Sequence, residues 1–545
     1  MKKTCAVSGV EFEVTEKDLK FYKKMGVPAP TLCPEERMRR RLTWRNERNF
    51  YQKKCDCCGK AMISTYLNCD APIYCTKCWW SDKWDAVDSA APFDFSRKFF
   101  PQFKLLVTST PKPGIINDNE TRSENSAYCQ DTVSTKNCYL VVETGQSRDS
   151  MYSHNINRSV EVLDSYQAFD SELAYEIINS QRLYNCAFLQ NCENCSDCFF
   201  GYDLKSCKNC FGCVNLRNKE YYFLNKPYSK EEYFKKLKEI KLNHHSVQSS
   251  IKESFKKFRQ DHPHRFANFK NCEGCVGNNV FNCKDVIGYD VINTQYSKFV
   301  HTTDQVIHSY DAQGWKYSWC VETQTADECW EAKFCSWCES CKNIDYCLHC
   351  YSSHDLFACV GLRHKKYCIL NKQYSKDEYF ILRNKIIAHM KETEEWGEFF
   401  PINSSTFAYN ETAAQEYFPM TKEEVLTKGW KWLDDDQKLH QKQTYVIPDD
   451  IENVPNSILK EILACECCGK NYKIQKAELK FYKKTRLPIP HKCPDCRHTD
   501  RMKLRNPRHL WARTCDKCGV DIQTTFAPDR PEKVYCEKCY LDCIE

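Results

Sequence analysis

Two kinds of residue in this 545-residue chain are spaced so as to do chemistry: cysteines in C-x-x-C pairs and arginines in short, dense runs. Cys55 and Cys58 are followed roughly twenty residues later by Cys75 and Cys78. Cys465 and Cys468 are followed by Cys493 and Cys496, and Cys515 and Cys518 by Cys536 and Cys539. Four soft thiolates close the tetrahedral shell of zinc and leave no open position, so each set predicts a structural ion rather than a catalytic one. Glycine follows the first pair in all three (Gly59, Gly469, Gly519), as suits a knuckle whose amides turn toward sulfur. Three zinc ions are expected.

The arginine runs come into view through a duplication of the chain ends. "KFYKKMGVPAPTLCPEER" from Lys20 returns as "KFYKKTRLPIPHKCPDCR" from Lys480, and residues 5–79 align with 465–540. The first copy keeps Cys5 and Cys33 but has Ser8 and Glu36 where two ligands should stand, so its metal site is expected to be lost or weak. Cys5, Cys33 and Glu36 with one further residue form the alternative. Both copies keep the basic stretch that follows. Residues 35–54 hold Arg39, Arg40, Arg41, Arg45 and Arg48, and residues 497–513 hold Arg497, Arg501, Lys503, Arg505, Arg508 and Arg513. Aromatics lie among them (Trp44, Phe50, Tyr51, Trp511). Guanidinium forks match phosphate oxygens and aromatic rings stack on bases, so these residues are the candidate nucleic-acid contacts. The alternative is that they pair with carboxylates of the middle region or of the acidic "WLDDDQ" (Trp432–Gln437).

The middle of the chain must position these ends, and it is itself duplicated. "CVNLRNKEYYFLNKPYSKEEYF" from Cys213 returns as "CVGLRHKKYCILNKQYSKDEYF" from Cys359, and "VLDSYQA" (Val162–Ala168) as "VIHSYDA" (Val306–Ala312). Each copy ends on a helix with a capping box, Ser229…Glu232 and Ser375…Glu378. Short apolar triplets set between Asn, Ser, Asp and Cys, at close but uneven spacing, predict rungs of a parallel β-solenoid; an array of zinc knuckles is the competing reading. The runs Cys192/Cys195/Cys198, Cys207/Cys210/Cys213 and Cys335/Cys338/Cys341 lack the fourth cysteine of a ferredoxin motif. Cys198, Cys207 and Cys210 align with Ile344, Ser353 and Leu356, which favours packed thiols over cluster ligands. Glu176 and Glu322 are retained between the copies but Asp164 aligns with His308, so no paired acid–base set stands out.

The expected organisation is an N-terminal zinc module (1–84), a linker (85–119), a first solenoid repeat (120–228) and a helical linker (229–269). A second repeat (270–374), a helix (375–396), a connector (397–458) and a C-terminal double zinc module (459–545) follow. The fold class is mainly β with short helices, a duplicated β-solenoid flanked by treble-clef or zinc-ribbon modules. Composition is globular, with 42% hydrophobic and 13% aromatic residues and a net charge of +6. No apolar run is long enough to span a bilayer. The 39 cysteines, with no secretory h-region at the start, predict reduced thiols in the cytoplasm. No Walker loop, G-x-G-x-x-G, G-x-S-x-G or H-E-x-x-H is present.

"CECCGKNYKIQKAELKFYKKTRLPIPHKCPDCR" resembles the zinc-ribbon family of treble-clef type, which implies a zinc-bound fold and no activity by itself. "APFDFSRKFFPQF", "CFGCVNLRNKEYYFLN" and "GEFFPINSSTFAYNETAAQEYFP" resemble large cysteine-rich proteins of poorly characterised bacterial lineages. The CoA-transferase label that some members of that family carry finds no supporting residues here. The functional expectation is a non-enzymatic, zinc-stabilised protein that binds nucleic acid, with structured RNA one candidate and RNA versus DNA left open. A protein-interaction scaffold presenting aromatics is the first alternative, and a β-helix enzyme acting on a polymer the second.

Overall fold

The computed structural model describes residues 1–117, 122–295, 297–304, 320–322, 326–327, 333–434 and 440–544. The segment aligned as "VIHSYDA", with His308, lies outside the described residues. The chain gathers into two compact units, each built from two separate stretches: Met1–Ile115 with Ala267–Asp434, and Ile116–Phe266 with Asp435–Glu545. Each unit therefore combines one inner repeat with one terminal module. The module that precedes the first repeat packs with the second. All three breaks fall inside segments read as linkers or connector.

The protein is mainly β with short helices. In the second unit the strands between Gln130 and Phe223 pair in parallel with partners twelve residues away. Four such ladders run side by side. One joins Gln130, Val142, His154, Tyr166 and Ile178. The next joins Val133, Gly145, Asn157, Phe169 and Gln181. A third runs from Tyr139 through Met151, Leu163, Tyr175, Ala187, Phe199 and Phe211 to Phe223, and a fourth from Lys136 through Arg148, Val160 and Glu172 to Glu220. In this unit the uneven spacing expected from sequence is corrected: the period is even, because every third residue does the same job.

One residue of each triplet points inward. Cys138, Val141, Ile156, Val162, Ala168 and Ala174 are among these. Another adopts a left-handed conformation: Asp164, Gln167, Asp170, Leu173, Glu176, Asn179, Arg182 and Asn185 have φ from 48° to 55°. Asn and Asp tolerate that region best, and their side chains stack from coil to coil, as in Asn137 to Asp149 at 2.9 Å. Inward serines close the accounting. Ser153 Oγ donates to the Met151 carbonyl (2.9 Å) and accepts from the Ser165 amide (3.1 Å). Inward cysteines take the same post: Cys186 Sγ donates to the Tyr184 carbonyl at 3.3 Å, and Cys192 Sγ accepts from the Leu204 amide at 3.4 Å. The other unit repeats the scheme with an eleven-residue step at Asn268–Asn279 and a twelve-residue step at Asn343–Asp355.

The modules alternate knuckle and helix. In the second unit, strands Leu463–Ala464 and Asn471–Tyr472 are followed by helices Lys476–Thr485 and Pro494–Leu504. Proline at the first helical position suits the start of the latter, since the missing N–H has no helical partner there anyway. Leu479, Phe481 and Tyr482 pack on Met151, Leu163 and Tyr175 of the ladder. In the first unit helices Glu16–Lys24 and Pro34–Leu42 hold the corresponding places.

Candidate metal centres

Each of the three cysteine tetrads converges: the four Sγ atoms of Cys55/Cys58/Cys75/Cys78, of Cys465/Cys468/Cys493/Cys496 and of Cys515/Cys518/Cys536/Cys539 lie within 4.8 Å of one another. Cys468 and Cys493 are 3.7 Å apart, Cys518 and Cys536 3.8 Å, Cys58 and Cys75 4.0 Å. A tetrahedral ion with metal–sulfur bonds of about 2.3 Å requires about 3.8 Å. Amides support the sulfurs: the Cys75 N–H donates to Cys55 Sγ and the Cys536 N–H to Cys515 Sγ, both at 3.2 Å. Burial alone would raise the Cys515 thiol, yet the amides of Cys536, Cys518 and Lys517 draw it down to about 6, while burial and neighbouring sulfurs push Cys539 up to about 12. Four thiols that oppose one another's ionisation in this way are a donor set for a dication, and the residues present fit one.

The degenerate first module lacks this convergence. Ser8 Oγ sits 3.7 Å from Cys33 Sγ, and Glu36 turns away to Arg39, 2.6 Å distant. The Cys5 thiol, which burial would raise, is brought down to about 7 by the Ser8 hydroxyl and nearby amides. A serine–thiol hydrogen bond has taken the place of the fourth-ligand geometry.

The basic stretches are placed differently from the expectation. Arg40, Arg41, Arg45, Arg497 and Arg501 are buried; Arg39, Arg48, Arg505, Arg508 and Arg513 are half-buried; Lys503 is exposed. Arg40 lies 2.8 Å from Glu322 and 2.6 Å from Glu398. Arg45 meets Glu47 at 2.7 Å and stacks over Trp337. Arg497 is 2.9 Å from Asp164 and 3.2 Å from Glu478, and Arg501 is 2.7 Å from Asp164. Arg505 donates to the Tyr166 hydroxyl at 3.0 Å and lies over its ring, and Arg513 donates to the Ala527 carbonyl. Apart from Arg513, whose contact stays within its own module, these guanidiniums join module to ladder inside each unit. That is the carboxylate-pairing alternative, and its physical reason is plain: a charge this deep is stable only when paired.

Sequence reading set Asp164 and Glu322 aside as members of an absent acid–base pair; here they are arginine acceptors. Glu176, the retained counterpart of Glu322, is held by Lys252 at 2.8 Å. Asp18 and Glu478 were missed, although they occupy the same place in the two modules. Glu478 receives Tyr152, Tyr482 and Arg497; burial raises its carboxyl above the usual range, opposed by Arg497. Asp18 receives Lys298 at 2.8 Å.

No family model and no curated protein matches the chain. Among solved structures, one similar chain is a protein of Desulfovibrio desulfuricans G20 named as a candidate acetyltransferase. Identity is 8%, the alignment covers 43% of this chain and 59% of that one, and the TM-score of 0.12 carries no argument. Among the described residues, no helix is long and apolar enough to cross a membrane.

Proposed function

We propose that the protein is a non-enzymatic interaction scaffold: two β-solenoids, each capped by a module of treble-clef or zinc-ribbon type, with zinc in the three tetrads and reduced cytoplasmic thiols. The observation that carries the reading is an aromatic spot retained in the same place on both repeats. Phe234, on the helix after the first ladder, is 36% exposed, and its counterpart Phe380 is 39% exposed. Each is backed by the same pair of tyrosines. Tyr221 and Tyr233 stand 6.0 and 5.4 Å from Phe234, and Tyr367 and Tyr379 stand 6.4 and 5.2 Å from Phe380. Each ring packs on its tyrosines and leaves over a third of its surface to solvent at the same place in both repeats, and aromatic residues are enriched in protein interfaces. Two equivalent anchors on one chain fit a protein partner that offers a repeated apolar feature. Polyanion binding draws less support, because Arg39, Arg40, Arg45, Arg497, Arg501, Arg505 and Arg513 are engaged by carboxylates, rings and carbonyls of their own unit. A photo-crosslinking residue placed one helical turn before each anchor, at exposed position 231 and, separately, at exposed position 377, tests the reading. Capture of the same protein from both positions, lost on Phe234→Lys and Phe380→Lys respectively, supports it; unrelated adducts from the two positions contradict it.

A further inference from the structure

The last coil of each ladder carries nearly the same sequence, "LRNKEYYFLN" over 216–225 and "LRHKKYCILN" over 362–371, but only one of the two ends is covered. In the first unit Leu362, Cys368, Leu370 and Asn371 are all at most 2% exposed. The single turn Ala86–Ser89 closes that end, with Ala86 inside its core and Trp84 and Val87 packed against it. Polar contacts seat the turn. Lys365 Nζ donates to Asp85 Oδ2 at 2.8 Å, Asn371 Nδ2 to the Ala86 carbonyl at 2.9 Å, and the Ala91 N–H to the Leu370 carbonyl at 3.1 Å. The other oxygen of Asp85 caps the turn by accepting from the Val87 N–H.

Among the described residues, none supplies that turn in the second unit. Leu224 is 43% exposed where its counterpart Leu370 is 2% exposed, and Leu216 and Tyr222 are half-buried. The groups that would seat a turn are nevertheless retained. Lys219, the counterpart of Lys365, is exposed and meets no carboxylate among the described residues. The Leu224 carbonyl, the counterpart of the acceptor for Ala91, receives no hydrogen bond from them either. Asn225 keeps its reciprocal pair with Val214, as Asn371 does with Val360, and also meets the His262 ring at 3.3 Å.

A single exposed leucine is ordinary on a protein surface. Tyr222, standing where the other end has Cys368, also fills the lumen with a larger ring, so the core closes without a turn. Neither point accounts for a lysine without an acid beside a carbonyl without a donor, both placed where the other unit uses them. The face is separate from the aromatic anchors, because Phe380 stays exposed in the unit whose end is covered.

The covered end shows what fits the open one. Trp84 is held there by the Trp79 ring, 4.8 Å away, and by the Arg363 guanidinium. Their counterparts Tyr540 and Arg217 are both tied to Asp203. An added Cβ at Gly361 would stand 3.4 Å from Trp84, and its counterpart is the buried Asn215, fixed by Tyr540 and the Pro263 carbonyl. The seat of the tryptophan is thus lost while those of the acid and the small apolar residues remain.

We propose that the ladder end around Leu216, Lys219 and Leu224 docks a partner's peptide segment: an acid that caps a single turn, followed by small apolar residues, with no aromatic before the acid.

The probe is the capped peptide Asp-Ala-Val-Asp-Ser-Ala-Ala, the sequence of residues 85–91, with a diazirine-bearing residue in place of its valine. It is titrated to millimolar concentration against the zinc-loaded full-length protein, and adducts formed on illumination are located by mass spectrometry. Saturable labelling within 216–225 is expected. Leu224→Asp should abolish it, and Lys219→Glu should weaken it about fivefold. A peptide with lysine in place of its first aspartate should fail on the parent and regain labelling on Lys219→Glu. Both substituted side chains are exposed, and unchanged zinc content and circular dichroism report folding of the variants. Labelling confined to 362–371, labelling that Leu224→Asp leaves unchanged, or no labelling at millimolar peptide overturns the proposal.

Discussion

Arg501 places its Nη1 2.7 Å from Oδ1 of Asp164, a residue 337 positions earlier in the chain, and both are buried. Arg497, one helical turn before, reaches the other oxygen of the same carboxylate at 2.9 Å. Two guanidiniums on one face of the helix Pro494–Leu504 thus share an acceptor on the ladder, and Glu478 balances the second charge. Removing one member of a buried ion set strands the others. Asp164→Asn is expected to destabilise its unit by about 3–5 kcal/mol. Denaturant unfolding, followed by a probe in the second unit, measures this; a loss below about 0.5 kcal/mol, the range of ordinary surface changes, contradicts it.

The first module offers a gain-of-function check on the metal account. Ser8 and Glu36 stand where the second copy has Cys468 and Cys496, and the surrounding knuckle and helix are retained. Ser8→Cys/Glu36→Cys is expected to bind one more zinc ion than the parent. Native mass spectrometry counts the ions, and an unchanged count shows that the module has lost more than its ligands.

In the intact centres the converse holds. Cys493 caps the helix that carries Arg497 and Arg501, so Cys493→Ser is expected to lose one zinc and to loosen the latch as well. Metal content should fall by one ion, and the unfolding midpoint should fall with it, because metal binding and folding are coupled. Loss of the ion with no change in midpoint argues against that coupling.

The tetrads were legible in sequence because zinc ligands declare themselves by local spacing. The fate of the arginines was not. "RMRRRLTWRNER" reads as an exposed basic surface, while the carboxylates that neutralise it, Glu322 and Glu398, lie hundreds of residues away. The retained Asp18/Glu478 position was a usable signal: an acid kept beside a kept arginine cluster suggests a partner rather than a free surface. The ladder was visible as class but not as period. Its apolar triplets vary in length, yet serines at 147, 150 and 153, and again at 159, 165 and 171, mark the three-residue step. The pairing of each module with the more distant repeat left no local trace at all.

Two buried histidines give the protein an acid limit. Burial depresses His264 to about 3, aided by the nearby Arg259 and Arg530 and opposed by Glu532, while its Nδ1 lies 3.1 Å from the Tyr202 hydroxyl. Burial and Lys112 likewise depress His349 to about 3. Below pH about 6.5 the unfolded chain takes up protons that the folded chain refuses, so stability is full above that pH and falls as pH drops toward 3. Each histidine is expected to contribute on the order of 1 kcal/mol of loss per pH unit. His264→Gln should flatten the dependence of the second unit and His349→Gln that of the first; variants with the parent's slope between pH 7 and 5 contradict the assignment.

The most direct test of the internal role of the arginines pairs two readouts on Arg497→Gln/Arg501→Gln. Thermal unfolding is recorded beside titration of labelled RNA and duplex DNA at low and moderate salt. The account predicts a large drop in stability of the second unit and a nucleic-acid affinity, whatever its size in the parent, that does not move with the substitution. An unchanged melting temperature with a steeply salt-dependent affinity that collapses in the variant would place those guanidiniums on phosphate and contradict it.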